Sequence, residues 1–75
     1  MIESMTQLRE YTDSDGNTWH IYVALTNESN YIEYWVQKHG YGIIELCFGV
    51  DRIDDDYTRQ VEQFIENIKG EERFI

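Results

Sequence analysis

Between residues 18 and 26 the chain alternates strictly: Trp19, Ile21, Val23 and Leu25 fall to one side, and His20, Tyr22, Ala24 and Thr26 to the other. A two-residue period with β-branched and aromatic support predicts a strand. The run before it, Asp13-Ser14-Asp15-Gly16-Asn17, is dense in turn formers and contains Asp-Gly. Residues 6–12 are therefore expected to pair back as a first strand, whose weak alternation suits an edge. After a second turn at 27–30, residues 31–38 read as a third strand. Ile32, Tyr34 and Val36 share one side of it, and Tyr31, Glu33, Trp35 and Gln37 the other. Both sides carry aromatic rings, so periodicity alone leaves open which one faces inward. His39-Gly40-Tyr41-Gly42 closes a tight connection to a fourth strand over 43–50. There Ile44, Leu46, Phe48 and Val50 oppose Ile43, Glu45 and Cys47.

From residue 54 the period changes. Tyr57, Val61, Phe64, Ile65 and Ile68 stand at i, i+4, i+7, i+8 and i+11, the stripe of a helix over 54–69. Asp54, Asp55 and Asp56 supply an N-cap and favourable charge at the positive end of its dipole, and Gly70 supplies the stop. Phe74 and Ile75 end a short tail that either folds back or frays. The elements assemble into one two-layer α+β domain over 1–75: a four-stranded antiparallel meander with a C-terminal helix on one face, ββββα. The expected core is Trp19, Ile21, Val23, Leu25, Ile44, Leu46, Phe48 and Val50, with Ile32, Tyr34 and Val36, beneath the helix stripe.

One helix covers one face of a sheet. The opposite face is then expected to carry Tyr22, Ala24, Tyr31, Glu33, Trp35, Ile43, Glu45 and Cys47, rich in the residue types that dominate contact hot spots. The residues expected to meet a partner here are Tyr22, Tyr31, Glu33, Trp35, Ile43 and Glu45. The bland reading is a sheet whose large side chains shield one another across strands.

Charge narrows the partner. Fifteen acidic residues face six basic ones, a formal net charge of −9 on 75 residues. Such a surface disfavours direct binding of nucleic acid or an anionic membrane and favours a basic protein surface. Asp51, Asp54, Asp55, Asp56, Glu62 and Glu66 form an acidic edge suited to one. The helix exterior, with Arg59, Glu62, Gln63, Glu66 and Lys69, otherwise reads as a solvated face, in which Asp55 and Arg59 make an i, i+4 pair. An apolar content of 41% fits a folded chain rather than an acidic tail. The single cysteine excludes an intrachain disulfide and points to a reducing compartment. Met1-Ile2-Glu3-Ser4-Met5 has no signal-peptide character, and no apolar run reaches membrane-spanning length, so a cytoplasmic location is expected.

Chemistry-bearing motifs are few. Asp13, Asp15 and Asn17 match the first ligand positions of a calcium loop, but Thr18 stands where its glycine belongs and Ala24 where its bidentate glutamate belongs. A hairpin turn is the better reading. The Asp51 to Asp56 cluster reads as helix capping rather than a Mg²⁺ or Ca²⁺ site. His20, His39 and Cys47 stand at no metal-ligand spacing, and no phosphate loop or nucleophile elbow is present. No catalytic residue, metal ligand or cofactor is assigned. The expected function is a non-enzymatic, acidic protein-binding module. Its sharpest form is a stoichiometric inhibitor mimicking nucleic acid on a basic partner, a device of phage and mobile-element proteins. The alternative is a structural or accessory protein that forms a homodimer through the open sheet face.

Overall fold

The computed structural model describes residues 2–28, 31–51 and 56–75. Four strands, β1 (Ile2–Thr12), β2 (Thr18–Thr26), β3 (Ile32–Lys38) and β4 (Ile44–Val50), precede one helix, α1 (Thr58–Ile68), and a 3-10 turn at Glu72–Phe74. The strands form one antiparallel sheet in the order β1-β2-β3-β4. The architecture is the ββββα α+β fold that the periodicity predicts. No described helix is long and apolar enough to cross a membrane.

Local chemistry explains the first hairpin. The Asp13 N–H donates to the Asn17 carbonyl at 2.8 Å, and the Gly16 N–H donates to the Asp13 carbonyl at 3.0 Å. Gly16 holds φ +87°, a conformation that side chains resist. The Asp13 carboxylate accepts the N–H groups of Asp15 and Asn17 on one oxygen, at 2.9 and 3.0 Å, and the Trp19 indole on the other, at 2.8 Å. The aspartate thus ties the turn to the largest core side chain, and its oxygens are occupied by N–H donors as a hairpin turn requires.

Register decides which residues face the helix. On the inner face, strand neighbours run Tyr11–Trp19–Lys38, Arg9–Ile21–Val36–Glu45, Thr6–Val23–Tyr34–Phe48 and Ser4–Leu25–Ile32–Val50. Two register shifts interrupt β1, at Glu3 and Leu8, and one interrupts β4, at Cys47. The Leu8 bulge explains the weak alternation of the first strand, because one extra residue exchanges the two faces.

The core gathers Trp19, Ile21 and Val36 from the sheet, Val61, Ile65 and Ile68 from α1, and Phe74 from the tail; Tyr11, Tyr34, Cys47, Phe48 and Phe64 pack around it. Tyr57 closes one side through ring contacts with Tyr34 and Phe48, at centroid separations of 5.8 and 5.9 Å. The tail folds back: the Phe74 ring meets Trp19 edge-on at 5.1 Å, and Ile75 stays 81% exposed.

Three expectations are corrected. The helix begins at Thr58, four residues later than the charge run suggests. Its N-cap is Tyr57, without a side-chain cap, and no acid lies in its first turn. Asp56 instead accepts the Thr58 N–H at 2.9 Å, while Asp54 and Asp55, and with Asp55 the proposed pair to Arg59, lie outside the described residues. Leu25 is 51% exposed rather than in the core. Eleven helical residues span about 16 Å against about 30 Å for the nine of β2, so α1 blankets only part of the inner face. Ile44 and Leu46 also leave the core, because the bulge at Cys47 puts them on the opposite face from Phe48 and Val50.

Candidate partner-binding surfaces

The face turned away from α1 is built from three cross-strand rows: Glu10–His20–Gln37–Ile44, Gln7–Tyr22–Trp35–Leu46 and Met5–Ala24–Glu33–Gly49. The middle row is a belt of two aromatic rings and a leucine. Tyr22 and Trp35 are half-buried and held by hydrogen bonds within the face. The Tyr22 hydroxyl donates to Gln37 at 3.0 Å and the Trp35 indole to Glu33 at 3.1 Å. Gln37 in turn donates to the Tyr41 carbonyl at 2.8 Å. Tyr31 lies across Gly49, where a Cβ would meet the tip of the tyrosine ring and force it to shift. Ala24 is fully buried among these neighbours.

The belt is less shielded at β4, where Ile44 and Leu46 are 42% and 41% exposed, and Met5 is 38% exposed in the row beyond. Ile43 is exposed in the connection before β4. Of the residues expected on this face, Tyr22, Tyr31, Glu33 and Trp35 are brought together. Glu45 is not: the Cys47 bulge turns it inward opposite Val36, where it pairs with Arg73 of the tail. Cys47 likewise packs against the core rather than the open face. Sequence reasoning missed Ile44 and Leu46 because their alternation with Phe48 and Val50 is unbroken. On the helix side of β4 the apolar surface continues as an open groove, with Phe48 and Phe64 among Arg59, Gln60, Gln63 and Asn67.

The acidic edge is divided. Asp51 and Asp56 are exposed; the Thr58 backbone N–H, helped by the Thr58 hydroxyl, holds the Asp56 carboxyl below its usual range. Glu62 and Glu66 turn toward β1 instead of forming a solvated helix face. Glu62 pairs with Arg9 at 3.0 Å. Glu66 accepts the Tyr11 hydroxyl at 2.6 Å, the Ser14 N–H at 3.0 Å and the Ser14 hydroxyl at 2.8 Å, with Lys69 at 3.4 Å. Lys69 also reaches Asp15 at 2.8 Å.

This network, with the Tyr11 hydroxyl as its largest contributor, draws the Glu66 carboxyl down to about 2, and the same hydrogen bond lifts the Tyr11 hydroxyl to about 12. Depression below the ordinary 4.5 means that ionised Glu66 stabilises the fold above that pH, and the contribution is lost as pH falls through about 2. Glu66→Gln is therefore expected to lower the urea midpoint at pH 7 and to flatten its decline between about pH 5 and 2. The wild-type and variant curves should converge at the acid end. Parallel curves across the range would refute the assignment.

The remaining reactive side chains do not form one centre. Burial, reinforced by the neighbouring Glu45 charge, pushes the Cys47 thiol up to about 12, so it is protonated and a poor nucleophile at neutral pH. His20 and His39 meet on the open face, with Nε2 of the first 2.9 Å from Nδ1 of the second. Among the described residues no three His, Cys, Asp or Glu side chains converge as a metal-holding group.

No family model matches this chain, and no curated protein or solved structure is detectably similar to it.

Proposed function

We propose that this chain is a non-enzymatic, acidic protein-binding module. Its contact surface is the Tyr22–Trp35–Leu46 belt with Ile44, and its partner presents an apolar patch bordered by basic groups. One observation carries the reading: Ile44 and Leu46 stand 42% and 41% exposed, contiguous with two half-buried aromatic rings, on a face that α1 leaves uncovered. Rings already fixed by Gln37 and Glu33 lose little freedom on binding, which favours contact. The charge of −9 supplies long-range attraction to a basic surface and suits a stoichiometric inhibitor that acts by occupying it. In the nucleic-acid-mimicking form, Asp51 and Asp56 stand in for phosphates, because Glu62 and Glu66 are engaged with β1.

Pull-down with the wild-type chain and with Leu46→Arg, repeated at rising salt, tests the proposal. A basic partner should be captured by the wild type, weakened at least tenfold between 50 and 500 mM salt, and lost with Leu46→Arg. Capture that ignores both salt and the substitution would overturn it. Light scattering at micromolar concentration separates the homodimer alternative: a stable dimer abolished by Leu46→Arg would assign the same face to a second copy.

A further inference from the structure

We infer that His20 and His39 form a two-histidine binding site for a divalent transition ion of the zinc, nickel or copper class, oriented by the carboxylate of Glu10. The fold creates this site. The two residues are far apart in sequence, but β2 and the turn after β3 bring His20 Nε2 within 2.9 Å of His39 Nδ1, the ring centroids 5.2 Å apart.

Backbone structure holds both residues in place. His20 lies within β2 with its side chain 16% exposed, and the His39 N–H donates to the Thr18 carbonyl at 2.9 Å. Gly40 follows at φ +84°, fixing the turn that presents His39.

The facing nitrogens share one proton in the metal-free chain, since an N–H of one imidazole must meet the lone pair of the other. A cation can take its place when that proton passes, through solvent, to His39 Nε2, which leaves each ring with one N–H and both facing nitrogens with a free lone pair. Metal–nitrogen bonds of about 2.0–2.1 Å at a tetrahedral angle set the two nitrogens roughly 3.3–3.4 Å apart. The required opening is a few tenths of an ångström, met by turning the exposed His39 ring.

Tautomer preference supports the same arrangement. Glu10 Oε2 stands 3.3 Å from His20 Nδ1, and a carboxylate there favours the N–H on Nδ1, leaving the Nε2 lone pair for a metal. Gln7 stands at 3.3 Å from the same nitrogen and can offer its amide oxygen by rotation. Two neutral imidazoles select transition ions over Mg²⁺ and Ca²⁺, which require oxygen donors. The other coordination positions open to solvent.

Titration of the full chain with ZnCl₂ at pH 7.5, followed by calorimetry and by the imidazole NMR signals, tests the site. Saturable one-to-one binding is expected, with shifts confined to His20 and His39 and none caused by MgCl₂. His39→Ala should weaken zinc at least tenfold and Glu10→Gln about tenfold, with melting temperatures unchanged. Unmoved imidazole signals, or wild-type zinc affinity in His39→Ala, would overturn the site by showing that any bound metal sits on carboxylates. Wild-type affinity in Glu10→Gln would overturn the part given to Glu10. If a variant fails to fold, the signal map of the unmodified chain decides.

Discussion

Replacing Phe74 with alanine is expected to cost about 3–5 kcal/mol, the range for emptying a buried aromatic site. The ring is fully buried against Trp19, in the same cluster as Ile65 and Ile68 of α1. Its backbone is anchored as well: Lys38 donates to the Phe74 carbonyl, and neighbouring Arg73 pairs with Glu45. A domain of 75 residues has a total stability of roughly 4–11 kcal/mol, so the loss removes a large share of it. Urea unfolding followed by tryptophan fluorescence provides the check. Phe74→Leu, which refills part of the volume, should fall between the two. A Phe74→Ala loss below about 1 kcal/mol would mean that the tail is not part of the core.

Asp13→Ala carries the second large effect, about 2–4 kcal/mol. The substitution strands three N–H donors at once, among them the buried Trp19 indole, and stranded buried donors cost about 1–3 kcal/mol apiece before relaxation. Burial alone would push the Asp13 carboxyl up, but the donors from Asn17, Trp19 and Asp15 outweigh it and hold the group below its usual range. Asp13→Asn keeps an acceptor oxygen and should lose about half as much. Equal losses for the two variants would show that charge rather than hydrogen-bond acceptance matters here. Thermal melts of both variants at pH 7 make the comparison.

The elements of this fold were legible where one face was decisively apolar. Trp19 and Ile21 alternate against polar neighbours, and Val61, Ile65 and Ile68 form a stripe that only a helix places on one side. Faces were illegible where a single extra residue reversed them. Ile44, Leu46, Phe48 and Val50 look like one side of a strand, and both sides of the sheet are apolar enough to accept either pair. The bulge at Cys47 therefore leaves no mark in the sequence. Tyr22 and Trp35 lie on the face turned away from α1, where their alternation puts them, whereas Glu45 is turned inward by the Cys47 bulge and pairs there with Arg73 of the tail. Glu62 and Glu66 looked solvent-facing because their partners Arg9, Tyr11 and Ser14 are distant in sequence and are brought to them only when the first hairpin packs against α1. The histidine pair was hidden for a related reason: metal-ligand spacing along a chain says nothing about residues joined by a cross-strand turn.

Asp13, Glu66, Lys69 and Phe74 all fasten the end of the sheet nearest the 12–18 turn, whereas Leu25 at the far end is half exposed. Hydrogen exchange is expected to be slowest at this fastened end, around Trp19 and Ile21, where the sheet, α1 and the tail share one cluster. A partner settling on Tyr22 would then rest on the strand that this end holds most firmly.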